Sequence, residues 1–264
     1  IYAVTGDSLN EVNDAVRRAG TVRWVHVRHE ESGAFAAAAE SELNGIACCA
    51  GSSGPGHVHL INGLYDAHRS NCPVLAIAST CPSDQFGTGY FQETDPIRLF
   101  DDCSGYNQMA VTPAQFARML PAALHHAIHR REVAVVGLPG DVAASPCAES
   151  PGASGPLPSH GIYRPLDGEL RQLAEMIGSA ERITVFCGIG AREAHDEVVR
   201  LAAMLKAPVA YTFKAKMEVQ YDNPYEIGMT GLLGLPSAYG AMHESDLLLL
   251  LGTDFPYDCF LPSE

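Results

Sequence analysis

Two glutamates, Glu30 and Glu31, stand between a short apolar run and a stretch rich in alanine. The apolar run, residues 24–27, predicts a strand, and residues 32–40 predict a helix. Ligands of open parallel sheets bind where the strands end, so a carboxylate here could act as an acid or a base. The alternative is that both glutamates merely complement the helix dipole. The spacing leaves both interpretations open, and the small side chains of the helix, which allow close packing, slightly favour the first.

Two turns with glycine also follow predicted strands, at residues 4–8 and 50–57. Either could hold a phosphate group, but neither has the G-x-G-x-x-G spacing or the lysine of a P-loop. A plain tight connection is the commoner use of such turns. Because both turns and Glu30 are predicted at one edge of one sheet, their glycines would let a flat ring approach the backbone. A third loop, residues 87–94, joins two aromatic residues, an amide and a carboxylate, and taken alone indicates only an ordinary loop.

The composition restricts the class of protein. Of 264 residues, 47% are hydrophobic and 18% charged, which is typical of a folded chain. The 31 acidic and 17 basic residues give a formal net charge of −14, which argues against nucleic acid as a partner. The eight cysteines have no zinc-type spacing, so we expect them to be reduced, in a cytoplasmic protein. No apolar run reaches the roughly 18 residues of a spanning helix, and no residue cluster predicts a metal site.

Short apolar runs alternate with amphipathic stretches along the chain, a pattern typical of parallel strands covered by helices. It predicts an α/β fold with two domains, residues 1–143 and 164–264, joined by a linker at 144–163. The predicted strands are 1–4, 22–27, 45–50, 73–79, 106–111, 132–138, 182–187, 208–212 and 246–251. The predicted helices are 8–18, 31–43, 57–69, 113–130, 166–178 and 191–205. The chain opens and stops close to strand-like runs, so we expect a fragment of a longer polypeptide.

Several stretches occur in the order in which one enzyme family has them. They are residues 1–10, 28–31, 51–56, 61–69, 73–78, 89–94 and 138–142. The chain resembles, essentially from end to end, the thiamine-diphosphate-dependent pyruvate oxidase and acetolactate synthase family. The resemblance is strongest to flavin-containing pyruvate oxidases and quinone-dependent pyruvate dehydrogenases. It implies that the first domain binds the pyrimidine ring of thiamine diphosphate and that the second is a Rossmann-like central domain, here truncated.

The resemblance implies a role for each motif of the first domain. Glu30 corresponds to the glutamate that exchanges a proton with a pyrimidine nitrogen and so activates thiamine diphosphate for attack on a 2-keto acid. Phe91 and Gln92 are expected to line the substrate pocket. His57 departs from the family, whose members usually have asparagine there. The residues expected on the pyrimidine side of the cofactor are Thr5, Gly6, Gly54, Pro55 and Gly56.

In the second domain the resemblance implies that FAD binds. The Gly-x-Gly of residues 188–190 is weak evidence alone, and its amides are expected to face a diphosphate where a helix begins. Other segments similar to those that wrap the flavin dinucleotide follow in order. The residues expected to contact FAD are Gly188, Ile189, Gly190, Ala191, Thr212, Lys214, Gly228, Met229, Thr230, Gly252, Thr253 and Phe255.

One family motif is absent from the 264 residues: Gly-Asp-Gly followed by Asn-Asn, which holds magnesium and the cofactor diphosphate. The resemblance therefore implies that Mg²⁺ and the diphosphate bind in a domain outside this chain. It also implies an active site shared between the subunits of a homodimer or homotetramer. The expected reaction is oxidative decarboxylation of pyruvate to acetate or acetyl phosphate, with electrons passing to quinone or oxygen. We expect a cytoplasmic protein that contacts membrane quinone, if at all, through a C-terminal region.

Two alternatives stay open. The first is a carboligase of the acetolactate synthase type, although residues 5–10 and 89–94 favour the oxidase branch. The second is a non-catalytic nucleotide-binding or assembly module, which the missing metal motif favours. We expect the isolated chain to be inactive under either scheme.

Overall fold

The structure, a computed structural model, describes residues 1–147, 163–254 and 258–262. Its contacts divide the chain into two compact units, Ile1–Gly161 and Ile162–Glu264. Each unit contains one sheet, whose strands all pair in parallel, with helices in the connections. The predicted α/β class with two parallel-sheet domains is therefore confirmed. Most of the predicted linker, residues 148–162, lies outside the described residues.

The first unit has a six-stranded sheet in the order β2-β1-β3-β4-β6-β5. Strands β4 and β6, inside the sheet, are each seven residues long and buried throughout. Strands that are covered on both faces need continuous apolar sequence, which made these two recognisable. The strands are β1 Tyr2–Ala3, β2 Val25–His26, β3 Ala47–Gly51, β4 Val74–Thr80, β5 Tyr106–Met109 and β6 Val133–Pro139.

The four predicted helices of the first unit are present, one of them divided, and two short helices, Pro96–Leu99 and Gly140–Ala144, were not predicted. Helix α6 spans the predicted range because Thr112 Oγ1 accepts a hydrogen bond from the Gln115 amide and Pro113 takes the first helical position. The predicted helix 57–69 is instead two helices, α3 and α4. The helices are α1 Asn10–Ala19, α2 Glu30–Asn44, α3 Pro55–Val58, α4 Ile61–Arg69, α5 Pro96–Leu99, α6 Pro113–Arg130 and α7 Gly140–Ala144.

Helix α2 lies close to the sheet and to α4. A Cβ built on Gly63 of α4 would lie 2.5 Å from Ala34 Cβ, and one built on Gly33 would lie 3.2 Å from Val27 Cγ2. Such short approaches require glycine and alanine at the contacts. The N-terminus of α2, which carries Glu30, is therefore held firmly against the sheet and against α4.

The second unit has a four-stranded sheet in the order β10-β7-β8-β9. Its strands are β7 Ile183–Cys187, β8 Val209–Tyr211, β9 Glu226–Met229 and β10 Leu247–Leu251. Its helices are α8 Asp167–Ser179, α9 His195–Leu205, α10 Lys216–Val219 and α11 Pro236–Glu244. None of the helices in the described ranges combines the length and apolar character that crossing a bilayer requires.

The second unit differs from the prediction in four elements, since helices α10 and α11 were not predicted and two further elements differ. The predicted helix 191–205 begins only at His195, because Ile189–Ala191 form a 3-10 turn. Strand β9 was not predicted: it is four residues long, contains Gly228, and pairs with β8 through a register shift at Val209 and Ala210. Short irregular strands carry too little periodic pattern to be recognised.

Several cysteines belong to the cores. Burial raises the pKa of the Cys187 thiol in β7 to about 12 and that of the Cys103 thiol to about 11. A thiol with such a pKa stays protonated at neutral pH and is a poor nucleophile. These two residues therefore behave as small hydrophobic side chains.

Candidate active site

Glu30 is the first residue of α2 and lies just beyond the carboxyl end of β2. His29 precedes it in extended conformation and caps the helix, since its Nδ1 accepts a hydrogen bond from the Glu31 amide. Only 8% of Glu30 is exposed. A carboxylate that only complemented a helix dipole would be more stable in water, because burial costs charged groups solvation. The burial therefore indicates that Glu30 faces other groups of the protein or a ligand.

The nearest polar partner of Glu30 is His59, from the turn between α3 and α4. His59 Nδ1 lies 3.0 Å from Glu30 Oε2, and the ring of His29 stacks on the ring of His59 with 4.4 Å between centroids. The Nδ1–H of His59 donates to the carboxylate, so a proton can be shared between the two groups. Sequence reasoning missed His59, although it follows the glycine turn of residues 51–56 that was singled out.

The glycine turn after β3 gives the site a wall of bare backbone. Gly54 has φ +63°, and a Cβ there would lie 2.7 Å from Gln92 Cβ. A Cβ on Gly51 would lie 2.5 Å from the Gly56 carbonyl oxygen, and one on Gly56 would lie 3.6 Å from Glu30 Oε1. No other residue type fits the first two positions. The structure thus brings the predicted Gly56 beside Glu30, whereas Gly54 packs against Gln92 and Pro55 is exposed.

Gln92 reaches the same place from the loop after β4. It has φ +59°, which is uncommon for a residue with a side chain, and its Oε1 accepts a hydrogen bond of 3.2 Å from Ser53 Oγ. Strained backbone of this kind is often found at functional sites. Phe91, its neighbour, is 73% exposed. The amide of Gln92 is therefore oriented by the protein, whereas the ring of Phe91 projects outward.

Glu93 holds this loop in shape. Its carboxylate accepts hydrogen bonds from the backbone amides of Gly87, Gly89 and Tyr90, at 2.5, 2.8 and 3.1 Å. These bonds, the one from Gly87 above all, lower the pKa of the Glu93 carboxyl group. Of the polar residues noted in this loop, Gln92 therefore lies at the candidate site, whereas Glu93 stabilises the conformation of the loop.

His57 is fully buried and connects three elements. Its Nδ1–H donates to the Ser79 carbonyl of β4 at 2.7 Å, and its Nε2 accepts from the Thr94 hydroxyl at 2.6 Å. Burial lowers the pKa of His57, so the ring is neutral at neutral pH. His57 therefore tethers the loop that carries Gln92. Neither of these two hydrogen bonds joins His57 to Glu30.

The first predicted turn lies at the same edge but bonds elsewhere. A Cβ on Gly6 would lie 2.3 Å from Ser52 Oγ, and Ser8 Oγ accepts from the Ser53 amide at 2.9 Å. Thr5 is exposed. The turn after β1 therefore supports the glycine turn after β3 rather than Glu30.

The second unit gathers its predicted residues at the carboxyl edge of its sheet. They follow the neighbouring strands β10, β7, β8 and β9 or are the last residues of one of these strands. Phe255 lies outside the described residues. The described members are Gly188, Ile189, Gly190, Ala191, Thr212, Lys214, Gly228, Met229, Thr230, Gly252 and Thr253.

The glycines of this edge pack on one another. A Cβ on Gly252, which has φ +59°, would lie 2.3 Å from the Gly190 carbonyl carbon, and the Gly190 amide donates to the Gly252 carbonyl at 2.8 Å. The amides of Gly188 and Ala191 also donate to backbone carbonyls of Leu251 and Gly188. These three amides are therefore used within the protein, because a 3-10 turn separates β7 from α9. Contact of these residues with FAD stays a prediction.

Two family models match the chain. Residues 1–99 match the thiamine pyrophosphate enzyme, N-terminal TPP binding domain, and residues 170–260 match the thiamine pyrophosphate enzyme, central domain. The fold supports the assignment, since each matched range lies on one of the two parallel sheets. The chain belongs to the thiamine pyrophosphate enzyme family and contains its N-terminal and central domains. The resemblance read from the motifs is confirmed at this level.

Three relatives indicate the breadth of the family around this chain. An uncharacterised 42.6 kDa protein of Pseudomonas amyloderamosa is 49% identical over 266 aligned residues, 100% of this chain and 67% of that protein. The pyruvate oxidase of Lactiplantibacillus plantarum is 33% identical, and the acetolactate synthase large subunit of Corynebacterium glutamicum is 29% identical. Both alignments cover 97% of this chain, but only 43% and 42% of those proteins. The chain therefore spans about two thirds of the first relative and less than half of the other two.

Proposed function

We propose that this chain is the front portion of an enzyme that uses thiamine diphosphate and FAD to decarboxylate pyruvate oxidatively. The products would be CO₂ and acetate or acetyl phosphate, with the electrons passing to quinone or oxygen. The observation that carries the proposal is the buried carboxylate of Glu30 beside the bare backbone of Gly56, at the carboxyl edge of the sheet. An acid–base group next to a flat glycine wall is what activation of a planar nitrogen heterocycle requires.

Thiamine diphosphate supplies, when bound, a carbon nucleophile that adds to the 2-keto group and accepts the electron pair left by CO₂. The chain's own contribution is to hold and move a proton. Glu30 would donate to and accept from a ring nitrogen, and burial strengthens that hydrogen bond. His59 donates to the other carboxylate oxygen, which leaves Oε1, the atom facing Gly56, for the heterocycle.

Gln92 would bind the keto acid. Because its Oε1 already accepts from Ser53, its Nε2 is the end left to donate to a substrate oxygen. The ring of Phe91, which projects outward, would offer an apolar contact to the methyl group of pyruvate. These roles assign polar recognition to one residue of the loop and apolar contact to the next.

FAD would bind at the carboxyl edge of the second sheet. Thr212, Lys214, Met229 and Thr230 follow or end neighbouring strands there, and the packed glycines keep the adjoining turns flat. Exposed Lys214 could pair with a phosphate group of the dinucleotide. The dinucleotide would therefore lie across several loops rather than on one helix terminus.

Mg²⁺ and the diphosphate of thiamine diphosphate would be held by a further domain, contributed by another subunit of a homodimer or homotetramer. The buried carboxylate of Glu30 would then meet only the pyrimidine end of the cofactor. This division predicts that one chain alone cannot complete the site. A membrane quinone contact would likewise fall to parts of the protein beyond these two units.

Product analysis of the complete polypeptide distinguishes the candidate reactions. With pyruvate, thiamine diphosphate, Mg²⁺ and FAD, we expect acetate or acetyl phosphate together with reduction of an artificial electron acceptor. Acetolactate without acceptor reduction would instead support the carboligase, which the similarity to acetolactate synthase keeps as the second candidate.

The 264 residues alone give a further test. We expect no turnover of pyruvate from this chain under the same conditions, because the diphosphate end of the cofactor has no partner motif in it. Thiamine diphosphate binding to the complete polypeptide, measured by calorimetry, separates a catalytic protein from a non-catalytic assembly module. Absence of any binding would support the module.

A further inference from the structure

Three side chains with metal-binding atoms meet at the start of α2. His29, Glu30 and His59 each offer one ligand atom, and these atoms lie within 4.8 Å of one another. The sequence predicted no metal site because His59 lies 29 positions after Glu30 and 30 after His29. The cluster is formed only when α2 and α4 pack together.

We propose that His29, Glu30 and His59 bind a divalent transition metal ion of the zinc class. Two imidazoles and one carboxylate are a ligand set that zinc accepts with an open fourth position. Mg²⁺ prefers oxygen ligands, so the two imidazoles select against it. The ion bound here would therefore differ from the Mg²⁺ proposed for the diphosphate of the cofactor.

One pair of ligand atoms already has the spacing that a small tetrahedral ion requires. Zinc–ligand bonds of about 2.0–2.1 Å place two ligand atoms about 3.3 Å apart in a tetrahedron. His59 Nδ1 and Glu30 Oε2 are already 3.0 Å apart. The side chains of His29 and His59 are 47% and 43% exposed, so both rings can rotate toward an ion that arrives from solvent. Buried Glu30 would be the fixed ligand.

The local charge also favours a cation. Glu31 Oε2 lies 3.7 Å from His29 Nδ1, so two carboxylates face a doubly charged ion. They offset the partial positive charge of the helix N-terminus. No net proton is released: an ion bound at His59 Nδ1 displaces the proton of that nitrogen into solvent, and Nε2 of the same ring takes one proton from solvent. Each imidazole thus stays neutral and presents one lone pair to the metal.

The site has a consequence that rests on the proposed function. Glu30 cannot bind the metal and exchange a proton with a pyrimidine at the same time. Zinc would therefore compete with thiamine diphosphate and inhibit the enzyme. Raising the cofactor concentration would relieve the inhibition, and raising the Mg²⁺ concentration would not.

Direct metal binding tests the site without reference to activity. We expect the 264-residue chain to bind about one Zn²⁺ in equilibrium dialysis at pH 7.5, and Co²⁺ to give the visible absorption bands of a four-coordinate ion. His59→Gln and His29→Gln should each weaken binding by at least about tenfold. His243→Gln, a change to an exposed histidine of the second unit, is the matched control and should bind as the parent chain does. Circular dichroism establishes that each variant is folded.

Two outcomes would overturn the site: no stoichiometric Zn²⁺ binding by the folded chain, or binding that neither histidine variant changes. The overlap with the cofactor is tested on the complete polypeptide, where thiamine diphosphate should raise the apparent Kd for Zn²⁺. Unchanged zinc affinity in saturating cofactor would overturn the competition. Zinc binding by a complete polypeptide that binds no thiamine diphosphate would count against the proposed function alone.

Discussion

The carboxyl edges of the two sheets are built in the same way, from loops that follow parallel strands, but they present different groups. At the first edge, side chains make the contacts: buried Glu30 bonds to exposed His59, and buried His57 bonds to Ser79 and Thr94. At the second edge, the turns of Gly190 and Gly252 pack backbone on backbone. Chemistry that moves protons needs the first kind of edge. A ligand that brings its own reactive ring needs only the second, which is why we assign the flavin there.

The largest effect is expected from removing the charge of Glu30. In the complete polypeptide, Glu30→Gln should lower kcat by about 10²–10⁴-fold, because an amide cannot exchange a proton with the pyrimidine. The free energy of unfolding should change by less than about 1 kcal/mol, since only a helix-dipole contact and one hydrogen bond are altered. Steady-state kinetics and denaturant unfolding measure the two quantities.

Glu11→Gln is the matched control, because Glu11 is an exposed glutamate in the first turn of α1. It loses the same dipole interaction without touching the candidate site, and kcat should stay at the parent value. If Glu30→Gln turned over pyruvate at the parent rate, Glu30 would not be the group that moves a proton at the first edge.

At the second edge backbone packs on backbone, so adding a methyl group at a glycine should lower the stability of the protein there. Gly252→Ala places a side chain at φ +59° and 2.3 Å from the Gly190 carbonyl carbon. We expect a loss of about 2–4 kcal/mol in the free energy of unfolding, from strain and overpacking together. Urea unfolding followed by circular dichroism measures it.

Gly240→Ala is the corresponding control. A Cβ at Gly240, inside α11, meets nothing within 4 Å. The change should raise stability by about 0.5–1 kcal/mol, because alanine is the better helix former. A second edge that tolerated Gly252→Ala as well as Gly240→Ala would not depend on backbone packing.

Much of this architecture was accessible from the sequence. Strands β4 and β6 are apolar on both faces, and α6 carries its own cap and first-turn proline, so local pattern was enough for all three. Strand β9 escaped because Gly228 and a register shift interrupt it. Local pattern predicts what local interactions determine.

The candidate site also has one part that local sequence predicts and one part that it does not. The place of Glu30 at a strand end followed from sequence order, and the structure puts it in the first helical turn and buries it. Its role as an acid or a base stays a prediction. The contact with His59 was not predictable. It depends on the close packing of Gly63 against Ala34, which brings α4 to α2, and no local spacing encodes that approach. Tertiary contacts of this kind determine which residues become neighbours of the candidate catalytic carboxylate.

A smaller effect should appear as a pH dependence of the first unit. Burial lowers the pKa of His57 below its ordinary value of 6.5. As pH falls below 6.5, the unfolded chain takes up a proton that the folded chain resists, so stability falls until the folded pKa is reached. Above pH 6.5 both states are neutral and the group contributes no pH dependence. The slope from this residue is at most about 1.4 kcal/mol per pH unit.

His57→Asn removes the titration and isolates its contribution. Unfolding in urea at pH 7.5 and pH 5.5, followed by fluorescence of Trp24, the single tryptophan of the chain, gives the two free energies. The difference between them should be smaller in His57→Asn than in the parent chain. Equal differences would mean that His57 is not the neutral tether at the first edge that its hydrogen bonds indicate.

The smallest effect should be confined to the loop that carries Gln92. Glu93→Gln replaces a carboxylate that accepts from three amides with a group whose NH₂ end repels such donors. We expect faster hydrogen exchange at residues 87–90 and an unchanged unfolding midpoint, because the loop is at the surface. The lowered pKa of Glu93 gives the sign of its pH dependence: loop order is complete above pH 4.5 and is lost as pH falls through the folded pKa.

Asp84→Asn, at another exposed acidic residue of the same loop, should leave the exchange of these amides unchanged. Exchange mass spectrometry of both variants therefore asks whether one carboxylate orders the loop or whether its glycines and neighbours do. If Glu93→Gln exchanged as slowly as the parent chain, the loop would owe its shape to backbone alone, as the second edge does. Faster exchange in Glu93→Gln alone would show that a side chain orders this surface loop. The first edge would then depend on side chains even at the solvent surface, unlike the second edge.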